Sequence, residues 1–88
     1  MLQILDIINE KGLHARASAK FVETVEQFDA GAVVRKDGLS AEGVSIMGLL
    51  MLAAANGTSI EVETRGAESL ALAEALRDLV ASRFGEAA

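Results

Sequence analysis

Apolar and polar positions change period repeatedly along this chain, and each change marks an element. Residues 2–8 (LQILDII) are short and rich in Ile and Leu, and read as a strand. The polar turn Asn9-Glu10-Lys11-Gly12 ends it. From about Arg16 the period becomes helical. Ser18, Phe21, Val22, Val25 and Phe28 share one face, while Lys20, Glu23, Thr24 and Gln27 share the other. That spacing predicts an amphipathic helix ending near Phe28. Residues 32–36 (AVVRK), Asp37-Gly38 and residues 39–42 (LSAE) predict a hairpin, because Asp-Gly supplies the positive φ angles of a tight two-residue turn. Ser45 is placed to cap a short helix over 45–54 (SIMGLLMLAA) that stops before Asn56-Gly57. Residues 59–65 (SIEVETR) alternate, with Ile60, Val62 and Thr64 on the buried side and Glu61, Glu63 and Arg65 on the wet side. The last helix runs from about Ser69 to Phe84. Leu72, Ala73, Leu76, Leu79 and Val80 form its apolar stripe, and Glu74, Arg77 and Asp78 face solvent. Gly85 ends it, and the terminal Glu-Ala-Ala is expected to fray.

The order β-α-β-β-α-β-α predicts an α+β fold, an antiparallel sheet of four strands with helices covering one side. Strand order does not follow from the pattern. The 88 residues point to a single domain over 1–88. A chain this long buries roughly 60–65% of its unfolded surface, enough for one modest core.

Composition narrows the function. There is no cysteine, so a disulfide framework and a thiolate metal site are excluded. The one histidine and the scattered carboxylates do not cluster, and no metal is expected. Lys and Arg number 8 against 13 Asp and Glu, for a net charge of −5, which argues against nucleic-acid binding. The aromatic residues are Phe21, Phe28 and Phe84, too few for base stacking. The longest apolar run, Ile46 to Ala55, is broken by Gly48 and too short to span a bilayer. No charged leader region precedes the first strand, and a cytoplasmic protein is expected. Glu61 and Glu63 sit two apart on a strand and read as a solvated pair, not an acid and a base. No phosphate-binding loop of Walker type is present, so a kinase is not indicated.

The candidate chemistry lies in KGLHARASAKF, residues 11–21. A lone loop histidine is ordinarily a surface residue, and no sequence neighbour of His14 could orient it as a triad base. Its position argues for more. His14 falls just before the amphipathic helix, where free amides carry roughly half a positive charge. That field disfavours an imidazolium and favours an anion. A neutral imidazole keeps a lone pair for nucleophilic attack. A phosphoryl group placed there would meet the amides, and Arg16 adds a fixed cation suited to phosphate. Exposed contacts of this kind are worth about 0.3–1 kcal/mol each, small enough to leave the group transferable.

GLHARASA (Gly12 to Ala19) closely resembles the histidine phosphorylation signature of HPr, the phosphocarrier family of the bacterial phosphoenolpyruvate-dependent phosphotransferase system. GVSIMGLLMLAA (Gly43 to Ala54) resembles that family's serine-containing signature. Length and element order also match, so the resemblance covers essentially the whole chain. It implies an open-faced β-sandwich, with four antiparallel strands against three helices. It implies that His14 takes a phosphoryl group on Nδ1 from phosphorylated enzyme I and passes it to an enzyme IIA domain. Arg16 would assist, with Arg16 and Ala17 making backbone contacts to the phosphate. No cofactor is implied, and the partners would supply the catalytic machinery, making this a carrier and not an independent catalyst. Ala17 stands where the family often has proline, and the HARASAKF run looks like HPr proteins of alphaproteobacteria, where a nitrogen-related regulatory branch occurs.

In that family the serine matching Ser45 is phosphorylated by HPr kinase/phosphorylase. A phosphate there would leave the helix intact but add about two negative charges to a docking surface. Ala17, Lys20, Ile46, Met47, Gly48, Leu49 and Met51 are the candidates for partner binding, with Met47 exposed beside His14 and Leu50 turned inward. Lys20 also reads as part of a plain solvated face. Gly48 would allow close backbone approach. The alternative to a sugar-linked carrier is a regulatory docking module of a nitrogen-related branch. A small ligand-binding domain would need a polar-lined pocket that this sequence does not suggest. A monomer is expected.

Overall fold

The computed structural model describes residues Met1–Ala88. The elements are β1 (Leu2–Asp6), α1 (Ala15–Glu26), β2 (Gly31–Lys36), β3 (Leu39–Glu42), α2 (Ile46–Met51), β4 (Ser59–Arg65) and α3 (Ser69–Ala81), followed by a 3₁₀ turn at Arg83–Gly85. All strand pairs are antiparallel and the sheet order is β1-β4-β2-β3. The expected α+β architecture is present. The periodicities explain it directly. Ile60, Val62 and Thr64 point into the core from β4, as alternation requires. Helix α1 buries Ala17, Ser18, Phe21, Val22 and Val25, and α3 buries Leu72, Ala73, Leu76 and Val80. Both helices lie on the same side of the sheet, and α1 packs against α2 and α3. Asp37 and Gly38 have φ angles of 51° and 81°, so the β2–β3 hairpin closes through the expected two-residue turn.

The other face of the sheet is open. Leu2 and Ile4 of β1 are exposed there. Arg35 on β2 donates hydrogen bonds to Glu61 and Glu63 on β4. Glu61 and Glu63 are therefore half-buried partners of an arginine and not simply solvated. The Arg35 bond is the main reason the Glu63 carboxyl is held below its ordinary range.

The boundaries differ from the pattern at three places. Strand β1 stops at Asp6, because the Ile7 amide leaves the ladder and donates to the Thr58 carbonyl. Helix α2 ends at Met51, well short of residue 54, with Leu52 as its C-cap and Ala53 at φ 52°. Helix α3 ends at Ala81. Arg83 and Phe84 then take φ angles of 57° and 55°, so the chain turns instead of continuing the helix. Phe84 is fully buried, and its carbonyl accepts a bond of 2.6 Å from Lys20 Nζ. The tail is anchored as far as Glu86, where fraying was expected, and Ala87 and Ala88 are exposed.

The end of α2 also places the loop before α1. The Leu13 amide donates to the Ala54 carbonyl at 2.8 Å, and Leu13 is buried. Gly12 has φ 64°, and a Cβ at that position would collide with the Ala54 carbonyl oxygen. Only glycine allows the two segments to approach this closely.

Ala53 holds a left-handed conformation that suits glycine. Ala53→Gly should raise the unfolding free energy by about 0.5–1 kcal/mol in urea titration, since relief of the Cβ strain outweighs the added freedom of the unfolded chain.

Candidate functional site

His14 is the N-cap of α1, with extended backbone (φ −78°, ψ −175°), and its side chain makes no capping hydrogen bond. Its carbonyl accepts the first helical bond, from Ser18. The amides of Ala15, Arg16 and Ala17 precede that bond, and no backbone carbonyl accepts from them. Unlike a Ser or Asp cap, the imidazole leaves these donors free.

The ring is held from the opposite side. Nε2 lies 2.6 Å from Oε2 of Glu86, a residue 72 positions away in sequence. A carboxylate only accepts, so the neutral ring carries its proton on Nε2 and keeps its lone pair on Nδ1. Nδ1 makes no hydrogen bond within the chain. The second oxygen of Glu86 accepts a bond of 3.1 Å from Asn9 Nδ2. Glu86 has its pKa lowered, first by the hydrogen bond from His14. Burial pushes the other way, and the Asn9 bond and the charges of His14 and Lys11 lower it further. Glu86 is thus an ionised partner for the imidazole.

An open cleft of about 440 Å³ lies over this pair, lined by Glu10, Lys11, His14, Ala15, Arg16 and Glu86 together with Ala87 and Ala88. Arg16 is exposed and makes no ion pair within the chain, so its guanidinium is available to an anion. A smaller hollow between His14 and the end of α2 is lined by Leu13, Leu50 and Ala53–Ala55. No three His, Cys, Asp or Glu side chains are grouped so as to hold a metal ion.

The candidate residues divide as follows. His14 and Arg16 meet at the start of α1 and both line the cleft. Ala17 is fully buried as a whole residue, so it cannot bind a partner, contrary to expectation. Lys20 is half-buried, and its ammonium donates to the Phe84 carbonyl. Leu49 is fully buried while Leu50 is only half-buried, which reverses the expected orientation of the pair. The six-residue helix starts at Ile46, and that phase turns Leu49 onto the sheet. Gly48 serves the chain's own packing: a Cβ there would lie 3.0 Å from Ser45 Oγ and 3.1 Å from Ala41 Cβ. Ile46, Met47 and Met51 are exposed, at 42%, 68% and 71%, and Val44 joins them at 55%. Ser45 caps α2, its Oγ accepting from the Gly48 amide at 3.0 Å. Glu86 and Asn9 did not stand out in the sequence. Phe84 was the available signal, since an aromatic residue so close to α3 had to be buried somewhere.

The segment 3–82 matches the family model described as PTS HPr component phosphorylation site. The chain belongs to the HPr family. The Neisseria meningitidis phosphocarrier protein HPr is 52% identical over 84 residues, 96% of this chain and 94% of that one. The Escherichia coli phosphocarrier protein NPr is 40% identical over 85 residues, again 96% and 94% of the two chains. Among solved structures, HPr-C-His from Thermoanaerobacter tengcongensis superposes with a TM-score of 0.94 at 34% identity, covering all of this chain and 99% of that one. The match to the HPr family model stops at residue 82, so Glu86 lies outside it.

The Glu86 contact has a defined pH dependence. A depressed carboxyl pKa stabilises the fold fully above the ordinary value of 4.5, and the contribution is lost as pH falls through the lower folded value. Wild type should therefore exceed Glu86→Gln in unfolding free energy at neutral pH, and the difference should shrink below pH 4.5. Paired denaturant titrations across that range would read it, and a constant difference would contradict the contact.

Proposed function

We propose that His14 accepts a phosphoryl group on Nδ1 from phosphorylated enzyme I and passes it to an enzyme IIA domain, with the carrier working as a cytoplasmic monomer and a single domain. The observation that carries this reading is the ring's asymmetry. Nε2 is tied to a carboxylate, while Nδ1 is free beside unpaired amides. In the step itself the Nδ1 lone pair attacks phosphorus, and the bond from phosphorus to the donor's leaving atom breaks. The ring becomes an imidazolium as the N–P bond forms. Glu86 stabilises that positive charge without taking the proton, as the carboxylate of a serine-protease triad does. The amides of Ala15 and Arg16, both exposed residues, and the Arg16 guanidinium meet the phosphoryl oxygens. In the return step the acceptor attacks phosphorus, the N–P bond breaks, and its electron pair returns to Nδ1.

Docking falls to the exposed apolar residues of α2 and the segment before it, Val44, Ile46, Met47 and Met51. A flexible methionine surface can fit several partners and release each of them. We also propose Ser45 as a regulatory site for HPr kinase/phosphorylase. It sits within this surface, and a phosphate on its oxygen would oppose acidic partner groups. A regulatory docking module of a nitrogen-related branch would use the same His14 chemistry, and the set of acceptors distinguishes the two. Transfer to a transporter-linked enzyme IIA supports the first reading, and transfer only to regulatory acceptors supports the second.

Incubation with phosphoenolpyruvate, magnesium and an active enzyme I should add one phosphoryl group by intact mass, labile in acid and stable in base. His14→Ala should show none, and an unmodified wild type would overturn the proposal. Arg16→Ala and Glu86→Gln should each slow uptake by about tenfold, the size of a lost charge-assisted contact. ³¹P NMR would assign the modified nitrogen.

A further inference from the structure

Asn9 opens what the hydropathy pattern reads as an ordinary polar turn, yet it is fully buried. Its Nδ2 uses both protons, one to the Gly12 carbonyl at 2.7 Å and one to Glu86 Oε1 at 3.1 Å. Both partners are acceptors, so the amide can sit only one way round. Its Oδ1 is then left buried with no partner. An orphaned buried acceptor is costly, and a residue kept only to hold the loop would not need one. Backbone bonds already close that loop. The Gly12 amide donates to the Asn9 carbonyl at 3.2 Å, and Leu13 is tied to Ala54. Asn56 Nδ2 donates to the same Asn9 carbonyl at 3.2 Å. What the Asn9 side chain adds is a second tie from the His14 loop to Glu86, beside the ring itself.

We propose that Asn9 is a positioning residue for phosphoryl transfer: its amide clamps the Gly12 carbonyl to the Glu86 carboxylate and so sets that carboxylate on His14 Nε2. Glu86 needs such a clamp. It hangs from a tail that has already turned through Arg83, Phe84 and Gly85, all at positive φ. A glutamate side chain held by one hydrogen bond can swing about its own torsions, and a second bond on the other oxygen fixes the carboxylate plane. The purpose of the clamp rests on the phosphocarrier reading, but its geometry does not.

The test uses the full chain and two NMR signals at the clamp: the titration of the Glu86 carboxyl carbon, and the exchange of the His14 Nε2 proton with water. In Asn9→Ala the Glu86 midpoint should rise toward the ordinary carboxylate value and the Nε2 proton should exchange faster. Uptake from enzyme I should slow about three- to tenfold, the size of one lost net hydrogen bond. Asn9→Asp should change all three in the same direction, since its carboxylate faces Glu86. Asn56→Ala loosens the same loop through the Asn9 backbone and should leave both NMR signals in place. Folding is followed at the core amides of Val34 and Val62. Unchanged clamp signals in folded Asn9→Ala would overturn the proposal, and so would equal changes in Asn56→Ala. Loss of folding in both Asn9 variants would also overturn it, since the role would then be structural. If even wild type takes up no phosphoryl group, the phosphocarrier reading fails, while the NMR signals still decide the clamp.

Discussion

His14 stands at the N-cap of α1 without capping it, so its ring is fixed by something other than the helix. Here a carboxylate from the far end of the chain holds it. The His14–Glu86 contact puts the proton on one nitrogen and the lone pair on the other, and it aims the lone pair away from the carboxylate. Other features of the fold bring these ends together. Gly12 lets the loop press against the chain after α2. Burial of Phe84 and the Lys20 bond to its carbonyl bring the tail back over α1. Lys20 thus serves the site from a distance, by fixing where the tail turns.

The net charge of −5 looks unsuited to a chain that handles phosphate. Local arrangement resolves this. At physiological ionic strength, exposed charges beyond about 8 Å are largely screened. In the proposed transfer the incoming group would enter a cleft where unbonded amides, Arg16 and Lys11 are set against Glu10 and Glu86. Glu86 is already engaged with His14 and Asn9, so its charge is directed at the ring. Each favourable contact is modest. A carrier needs that balance, because a site that held phosphate tightly would keep it.

The sheet and the two long helices could be read from periodicity because each buries one face against a shared core. Ile60, Val62 and Thr64 alternate, and Leu72, Leu76 and Val80 repeat with the helix, for that reason alone. His14 and Arg16 were legible because the start of α1 is marked locally by the change of period. Short α2 was not resolved in phase: Leu49 and Leu50 are chemically alike, and six residues give too little pattern to say which one faces the sheet. Glu86 was hidden for a different reason. The chain reaches it through Arg83 and Phe84 in the left-handed region, which neither residue type advertises. A buried asparagine in a polar turn is equally silent, because sequence shows its chemistry but not its burial.

These two kinds of residue also differ in where they sit in the fold. His14, the unbonded amides and α2 belong to the packed elements, while the ring's carboxylate partner hangs from the tail after α3. The parts that must meet a partner are constrained by that partner's surface. The tail need only satisfy its own chain: a buried aromatic, a lysine on a carbonyl, and an acid within reach of Nε2. Changes in the tail can therefore alter how strongly a positive charge on the ring is stabilised while leaving the exposed residues of α2 untouched. In the proposed transfer that charge would appear as the N–P bond forms and disappear as it breaks, so the tail would adjust the balance between taking the phosphoryl group and releasing it.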